Sequence, residues 1–240
     1  RDPIVIAKSL SLNYRDPAVV RIRNVDSSGF EIRVQEWDYL DSVHKNEEVS
    51  FLVMDRGSYT LEDGTRIEAG TFYTSKVGSF GPPVTFNQTF QTIPVIVASI
   101  ASFNEEDTVT GRIRNITADG FEFCMQEQEL NPKTHLTETI NFIAGEPSTG
   151  NIGNFAFEVS KTRDVVRQNN HNIQFKYPFE NIPLLFADIQ TGDGMDTANV
   201  RWKKKDSGAV MIHIDEEQSS DRETSHTSEV VGYLAITYAD

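Results

Sequence analysis

A single cysteine, Cys124, occurs among 240 residues, which excludes an intrachain disulfide and a cysteine-rich zinc site, because both need a second thiol. Cys124 reads as a small core filler. Long apolar runs are missing as well: no segment approaches the roughly 18 residues that a membrane-spanning helix needs, so no membrane insertion is expected. Basic residues are scarce, at 22 against 36 acidic ones, for a net charge of −14. A field of that sign repels phosphate backbones and anionic lipid surfaces, and nucleic acid is excluded as a partner. Lys203-Lys204-Lys205 is the only basic run, and a solvated strand or turn accounts for it. No stretch holds a helical period, and nothing matches a nucleophile elbow, a phosphate loop or a serine triad. Paired acids such as Glu216-Glu217 fall on opposite faces of a strand and cannot straddle a glycosidic bond, so no enzymatic activity is expected. The opening Arg1-Asp2-Pro3-Ile4-Val5 carries neither a charged leader nor an apolar signal core, which reads as a removed signal or a piece of something longer.

What remains is a core-forming composition, 38% hydrophobic and 24% charged, and that excludes a disordered tail. The chain also repeats itself. Asp2-Pro3-Ile4-Val5-Ile6-Ala7 is echoed by Ile93-Pro94-Val95-Ile96-Val97-Ala98 at a shift of 91, and by Ile182-Pro183-Leu184-Leu185-Phe186-Ala187 after a further 89. Holding those shifts aligns Asp16, Asp107 and Asp196, then Arg21, Arg112 and Arg201, then Glu36, Glu127 and Glu216. A two-residue insertion around Ser219-Ser220-Asp221 brings His44, His135 and His226 into line, followed by Glu47, Glu138 and Glu229. Three copies follow, at 1–57, 58–150 and 151–240, the first lacking the leading strands of the others.

Periodicity gives the elements. Gly29-Phe30-Glu31-Ile32-Arg33-Val34 alternates apolar with polar, as do Val20-Arg21-Ile22-Arg23 before it and the matching segments around Phe121 and Val210, which is the pattern of half-buried strands. Asp26-Ser27-Ser28-Gly29 and Asn115 to Gly120 supply turns between them, with Gly120 expected at a positive φ. Many short strands at turn-rich intervals predict an all-β chain of antiparallel sandwiches, one per copy.

Phe86 and Phe90 running into the Pro94 strand, then Arg-x-x-Asn-x-x-x-x-Gly-Phe, then a closing His-x-x-Glu-x-apolar-x-aromatic, resemble the H-type lectin domain of snail agglutinins and discoidins. The resemblance covers the second copy best, the third nearly as well, and the first from its third residue onward. It implies tandem six-stranded antiparallel β-sandwiches, and a family that assembles as trimers with galactose or N-acetylgalactosamine near the subunit boundaries. Three copies in one chain would imitate such a trimer, and tandem beads fit the sequence equally. The family's sugar-contacting arginine lies eight residues before the turn glycine; Arg21 and Arg112 match it, and Arg201 matches by register. The stacking aromatic eight residues after the glycine is matched by Trp37, where the other copies carry Gln128 and Glu217. The disulfides of the snail proteins are absent.

Sugar recognition needs a flat apolar surface against the C–H face of the ring, and directional donors and acceptors for hydroxyls. Trp37, Asp38, Tyr39, Arg21 and His44 would supply both if the strands pair as argued, with Arg112, Gln128, His135, Arg201 and His226 at the matching places of the other copies. A structural alternative stands beside this: Trp37 caps a sheet edge, the arginines pair with Glu36, Glu127 and Glu216, and each histidine fixes its loop through the glutamate three residues on. His171 and His213 read as ordinary surface or strand residues. No metal is expected, with calcium at the acidic loops Asn104 to Asp107 and Gly192 to Asp196 as the one cofactor to consider, against solvated turns. The expected function is non-catalytic binding of a galactose-type glycan or neutral galactan, by a module of a larger secreted, extracellular protein that also holds a catalytic domain. Repetition would raise weak single-site affinity on a polysaccharide. The alternatives are a structural or adhesion array that binds no sugar, and a β-sandwich polysaccharide-degrading enzyme.

Overall fold

The computed structural model describes residues 2–131, 134–220 and 223–239, and Asp221 of the third-copy insertion lies outside them. Every regular element among the described residues is a strand, so the chain is all-β as the periodicity implied. No helix is long and apolar enough to cross a membrane. The first copy contributes β1 (Pro3–Lys8), β2 (Leu10–Ser11), β3 (Ala18–Arg23), β4 (Glu31–Glu36) and β5 (Ser50–Asp55). The second contributes β6 (Gly57–Thr60), β7 (Arg66–Thr74), β8 (Val84–Thr85), β9 (Val95–Ile100), β10 (Val109–Arg114), β11 (Gly120–Glu127) and β12 (Glu138–Gly145). The third contributes β13 (Ser148–Ile152), β14 (Phe155–Lys161), β15 (His171–Gln174), β16 (Leu184–Ile189), β17 (Ala198–Lys205), β18 (Ala209–Glu216) and β19 (Val231–Tyr238).

The second copy pairs its strands in two antiparallel sheets, β6-β7-β12-β9 and β10-β11-β8, whose apolar faces share one cluster containing Phe86, Phe90, Ile113, Phe121, Phe123, Ile140 and Phe142. The third repeats this with β13-β14-β19-β16 and β15-β18-β17, the latter extended by β2 of the first copy in parallel. The complete copies thus hold seven strands where six were expected, because β6 and β13 add an edge strand to each. Both begin before the expected boundaries at 57/58 and 150/151, which cut inside these strands. Among the described residues the first copy pairs β1 with β5 and β3 with β4, and its β2 goes to β17.

The hairpin turns are built alike from different residues. Asp26 Oδ1 accepts from the Ser28 and Gly29 N–H groups, Thr117 Oγ1 from those of Asp119 and Gly120, and Asp206 Oδ1 from those of Gly208 and Ala209. A side-chain oxygen caps each turn two and three residues on. The positive φ falls not at Gly120 but at Asn24 (53°) and Asn115 (49°), amide residues that tolerate the left-handed region. Gly120 is needed for another reason: a Cβ there would run into the carbonyl of Val84 on β8.

The copies meet along β1, β9 and β16, around a shared cluster of Ile4, Ile6, Ile67, Val97, Ile143 and Phe186. Backbone donors on each of these strands find side chains of the next. Ser99 Oγ accepts from the Ala7 N–H at 3.1 Å, Asp188 Oδ2 from the Ala98 N–H at 3.2 Å, and Ser9 Oγ from the Ala187 N–H at 3.0 Å. The contacts therefore run from first to second to third and back to first.

Candidate functional site

The same order governs the polar side chains singled out above. Arg21 of the first copy is buried and reaches the second, where its Nη2 meets Glu138 Oε1 at 3.3 Å and its Nη1 donates to the Asp107 carbonyl at 2.9 Å. Arg112 of the second reaches the third, at Glu229 Oε1 (2.9 Å) and the Asp196 carbonyl (2.9 Å). Arg201 of the third returns to the first, at Glu47 Oε1 (2.8 Å) and the Asp16 carbonyl (3.1 Å).

A histidine extends each pair. His135 sits between Glu127 Oε1, 2.8 Å from its Nδ1, and Glu138 Oε1, 3.2 Å from its Nε2. His226 bridges Glu216 and Glu229 in the same way, and His44 bridges Glu36 and Glu47. Each junction is thus a chain of four groups, Arg, Glu, His and Glu, with the arginine from one copy and the rest from the next. The contact between each histidine and the glutamate three residues on was expected; the arginine pairing was not. Glu36, Glu127 and Glu216 hold histidines, and the arginines go to the other glutamate across a copy boundary.

That second glutamate also organises the acidic loop. Glu138 accepts from Ser102 Oγ and the Asn104 N–H, Glu229 from Thr191 Oγ1 and the Asp193 and Gly194 N–H groups, and Glu47 from Ser11 Oγ and the Asn13 and Tyr14 N–H groups. The loops considered for calcium present their N–H groups to carboxylates and their aspartate carbonyls to arginines. Among the described residues no group of three or more His, Cys, Asp or Glu side chains is placed to hold a metal ion. Ser11, Ser102 and Thr191 are the members that sequence reasoning missed, although they align at the same shifts of 91 and 89.

The electrostatics follow from this packing. Burial works against a charged His135, yet its hydrogen bonds to Glu127 and Glu138 and the nearby carboxylates outweigh it and hold the imidazole up at about 9. His226 is raised by the same balance with Glu216 and Glu229. Burial would lift Glu229, but hydrogen bonds from His226, Thr191 and the Gly194 N–H, with Arg112 alongside, bring it down to about 2. Glu138 and Glu47 are lowered likewise.

Trp37 is 1% exposed and Gln128, next to the third copy's Glu217 turn, is also buried. Residues following them form a third ring of contacts, through the turns after β4, β11 and β18. Asp38 Oδ1 accepts from Thr108 Oγ1 at 2.9 Å and Asp38 Oδ2 from Asn131 Nδ2 at 3.3 Å. The Glu129 and Leu130 N–H groups donate to Glu217 Oε1 and Ser219 Oγ, and the Tyr39 hydroxyl accepts from the Gln218 N–H at 3.0 Å. Of the residues proposed for sugar contact, Tyr39 (39% exposed) and its neighbour Asp38 face solvent, while the arginines, Trp37, Gln128, His135 and His226 are interior and His44 is half-buried. His171 and His213 are strand residues as expected, the first half-buried on β15 and the second buried on β18, its imidazole pushed down to about 4 by burial and the fields of Arg201 and Lys203.

Fold and site together define an all-β protein of three repeats clasped head to tail by buried ionic chains. No protein-family model matches the chain, and no solved structure matches it. Among curated proteins it is similar to halomucin of Haloquadratum walsbyi, with 31% identity over 246 residues that take in 98% of this chain and 3% of that protein. The chain therefore spans a small fraction of the relative's length.

Proposed function

We propose that the chain is a non-catalytic structural module of a long extracellular protein, in which three H-type-lectin-like sandwiches are locked as an intrachain pseudo-trimer that spaces or displays the rest of the molecule. The observation that carries this is the cyclic set of buried arginines: the residues that the lectin resemblance assigns to sugar are used to fasten one copy to the next. The buried Trp37 points the same way. Similarity to a protein named halomucin supports an extracellular setting and a long parent chain.

Binding of a galactose or N-acetylgalactosamine-type glycan, or of a neutral galactan, is a second reading. It is favoured by one observation, the exposed ring of Tyr39 beside the exposed Asp38 carboxylate, a flat apolar surface next to an acceptor. Calorimetry with a glycan array decides between them. The structural reading expects one cooperative unfolding transition for all three copies and no glycan retention. Separate transitions for the copies would overturn it, and retention on a galactan that Tyr39→Ala abolishes would put the second reading in its place.

A further inference from the structure

Going beyond that reading, we propose that the first copy is the acceptor for an extended two-strand segment of the repeat's own type, one strand lying along the free edge of β5 and the second along the free edge of β4. The other two copies show what belongs there. In the second, β12 lies between β9 and β7, and β11 between β10 and β8; in the third, β19 lies between β16 and β14, and β18 between β17 and β15. In the first, β5 pairs with β1 and β4 with β3, each on one side only.

Equivalent positions report the consequence in exposure. Phe51 is 54% exposed, where Phe142 and Tyr233 are 2% and 4%. Ile32 and Val53 are exposed too, and their counterparts Phe123, Ile212, Ala144 and Ala235 are buried. What covers those counterparts is the leading segment: Phe72, Phe86 and Phe90 pack on Phe121, Phe123 and Phe142 in the second copy, and Phe175 and Phe179 on Tyr233 in the third. In the first copy Phe30 and Phe51 have each other, at 5.4 Å.

The open space beside Gly29 agrees: its counterparts lie against a strand, Gly120 at Val84 of β8 and Ala209 opposite Gln174 of β15, whereas a Cβ on Gly29 would meet nothing within 4 Å. The cleft on the other side of β5 agrees. Ile4 is covered by β7 residues Ile67 and Ala69 in the shared cluster, and its counterpart Val95 by Phe157 and Val159 of β14. The third counterpart, Leu184, is 44% exposed, at an apolar cleft of about 600 Å³ bounded by Leu52, Met54, Leu234 and Ile236.

Register fixes the occupant's chemistry. Glu68 and Glu158 stand opposite Ala144 and Ala235, and Gly70 and Ser160 opposite Phe142 and Tyr233. The incoming strand therefore places a glutamate opposite Val53 and a small residue opposite Phe51, and the second strand brings a Phe-x-x-x-Phe pair into the open core. Addition of a strand to an exposed edge supplies backbone hydrogen bonds, while pockets for alternate side chains supply selectivity.

The test adds fluorescent peptides of residues 57–92 or 148–181 to the whole chain and follows anisotropy and hydrogen exchange of the β5 amides. Expected are one-to-one binding of at least one peptide, slowed exchange at Phe51 to Val53, and binding weakened about tenfold or more by Phe86→Ala with Phe90→Ala in the first peptide. Phe51→Ser on the acceptor should weaken binding while lowering its melting temperature little, because half of that side chain is exposed in the free chain. Failure of both peptides, binding indifferent to Phe51→Ser, or β5 amides already protected by concentration-dependent pairing with a second copy would each overturn the proposal.

Discussion

Replacing Arg112 by methionine keeps the aliphatic stem and removes the guanidinium, so it tests whether the ionic chains hold the copies together. In the native protein that group meets Glu229 Oε1 and the Asp196 carbonyl, both at 2.9 Å, and donates from Nε to Gln126 at 3.1 Å, with almost no solvent access. Its loss leaves the Glu229 carboxylate in the interior without its guanidinium partner, and a carbonyl and an amide oxygen without their donor. Breaking a buried pair by removing one partner costs about 3–5 kcal/mol. For a chain of this size each kcal/mol lowers the melting temperature by about 2–4 °C, so a fall of roughly 6–20 °C is expected. Differential scanning calorimetry on Arg112→Met measures it, with Arg23→Met as the comparison, because the Arg23 and Glu31 side chains form a 2.7 Å pair that is half exposed and worth about 0–1 kcal/mol. A double-mutant cycle with Glu229→Gln separates the pair's coupling from the loss of other contacts. If Arg112→Met melts no lower than Arg23→Met, the arginines do not fasten the copies and the structural reading falls with them.

The remaining expectations concern pH and packing. His135 is raised in the folded state from 6.5 to about 9, so its contribution is complete below pH 6.5 and is lost as pH rises through about 9; Glu229, lowered from 4.5 to about 2, contributes above pH 4.5 and loses that as pH falls through about 2. His213, lowered from 6.5 to about 4, contributes above pH 6.5 and loses that as pH falls through about 4, so melting temperature should be highest near about pH 6.5, and His135→Asn should flatten its alkaline limb; an unchanged limb in that variant contradicts the assignment. Trp37→Ala should cost about 3–5 kcal/mol by urea titration, as for a buried aromatic, whereas Tyr39→Ala, on the exposed lip, should stay below about 1.5 kcal/mol. Gly120→Ala should destabilise by about 1–3 kcal/mol because its Cβ meets the Val84 carbonyl, and a thermal melt indistinguishable from wild type would refute that close approach.

The repeats, their register and the strand content were legible because period-two patterning and fixed shifts are local properties of the chain. So was each contact between His44, His135 or His226 and the glutamate three residues on, which a single loop determines. The partner of Arg112 was not. Glu127 and Glu229 both align in every copy, and nothing in one copy's spacing says that its arginine will bind in the next. Trp37 is buried and not an open surface, and the sequence of its own turn does not distinguish those two outcomes. Gly120 illustrates a different limit, since glycine answers both to a positive φ and to a close backbone approach, and only the position of β8 tells which.

The direction of the arginine contacts limits how such a chain can lengthen. Each copy offers one arginine forward and one glutamate backward, and with three copies the last arginine finds the first glutamate, leaving neither end of the series open. A fourth copy added in line would find no vacant glutamate. Growth of a longer protein from this unit would proceed by whole closed triplets, so its natural increment of duplication is the set of three and not the single repeat.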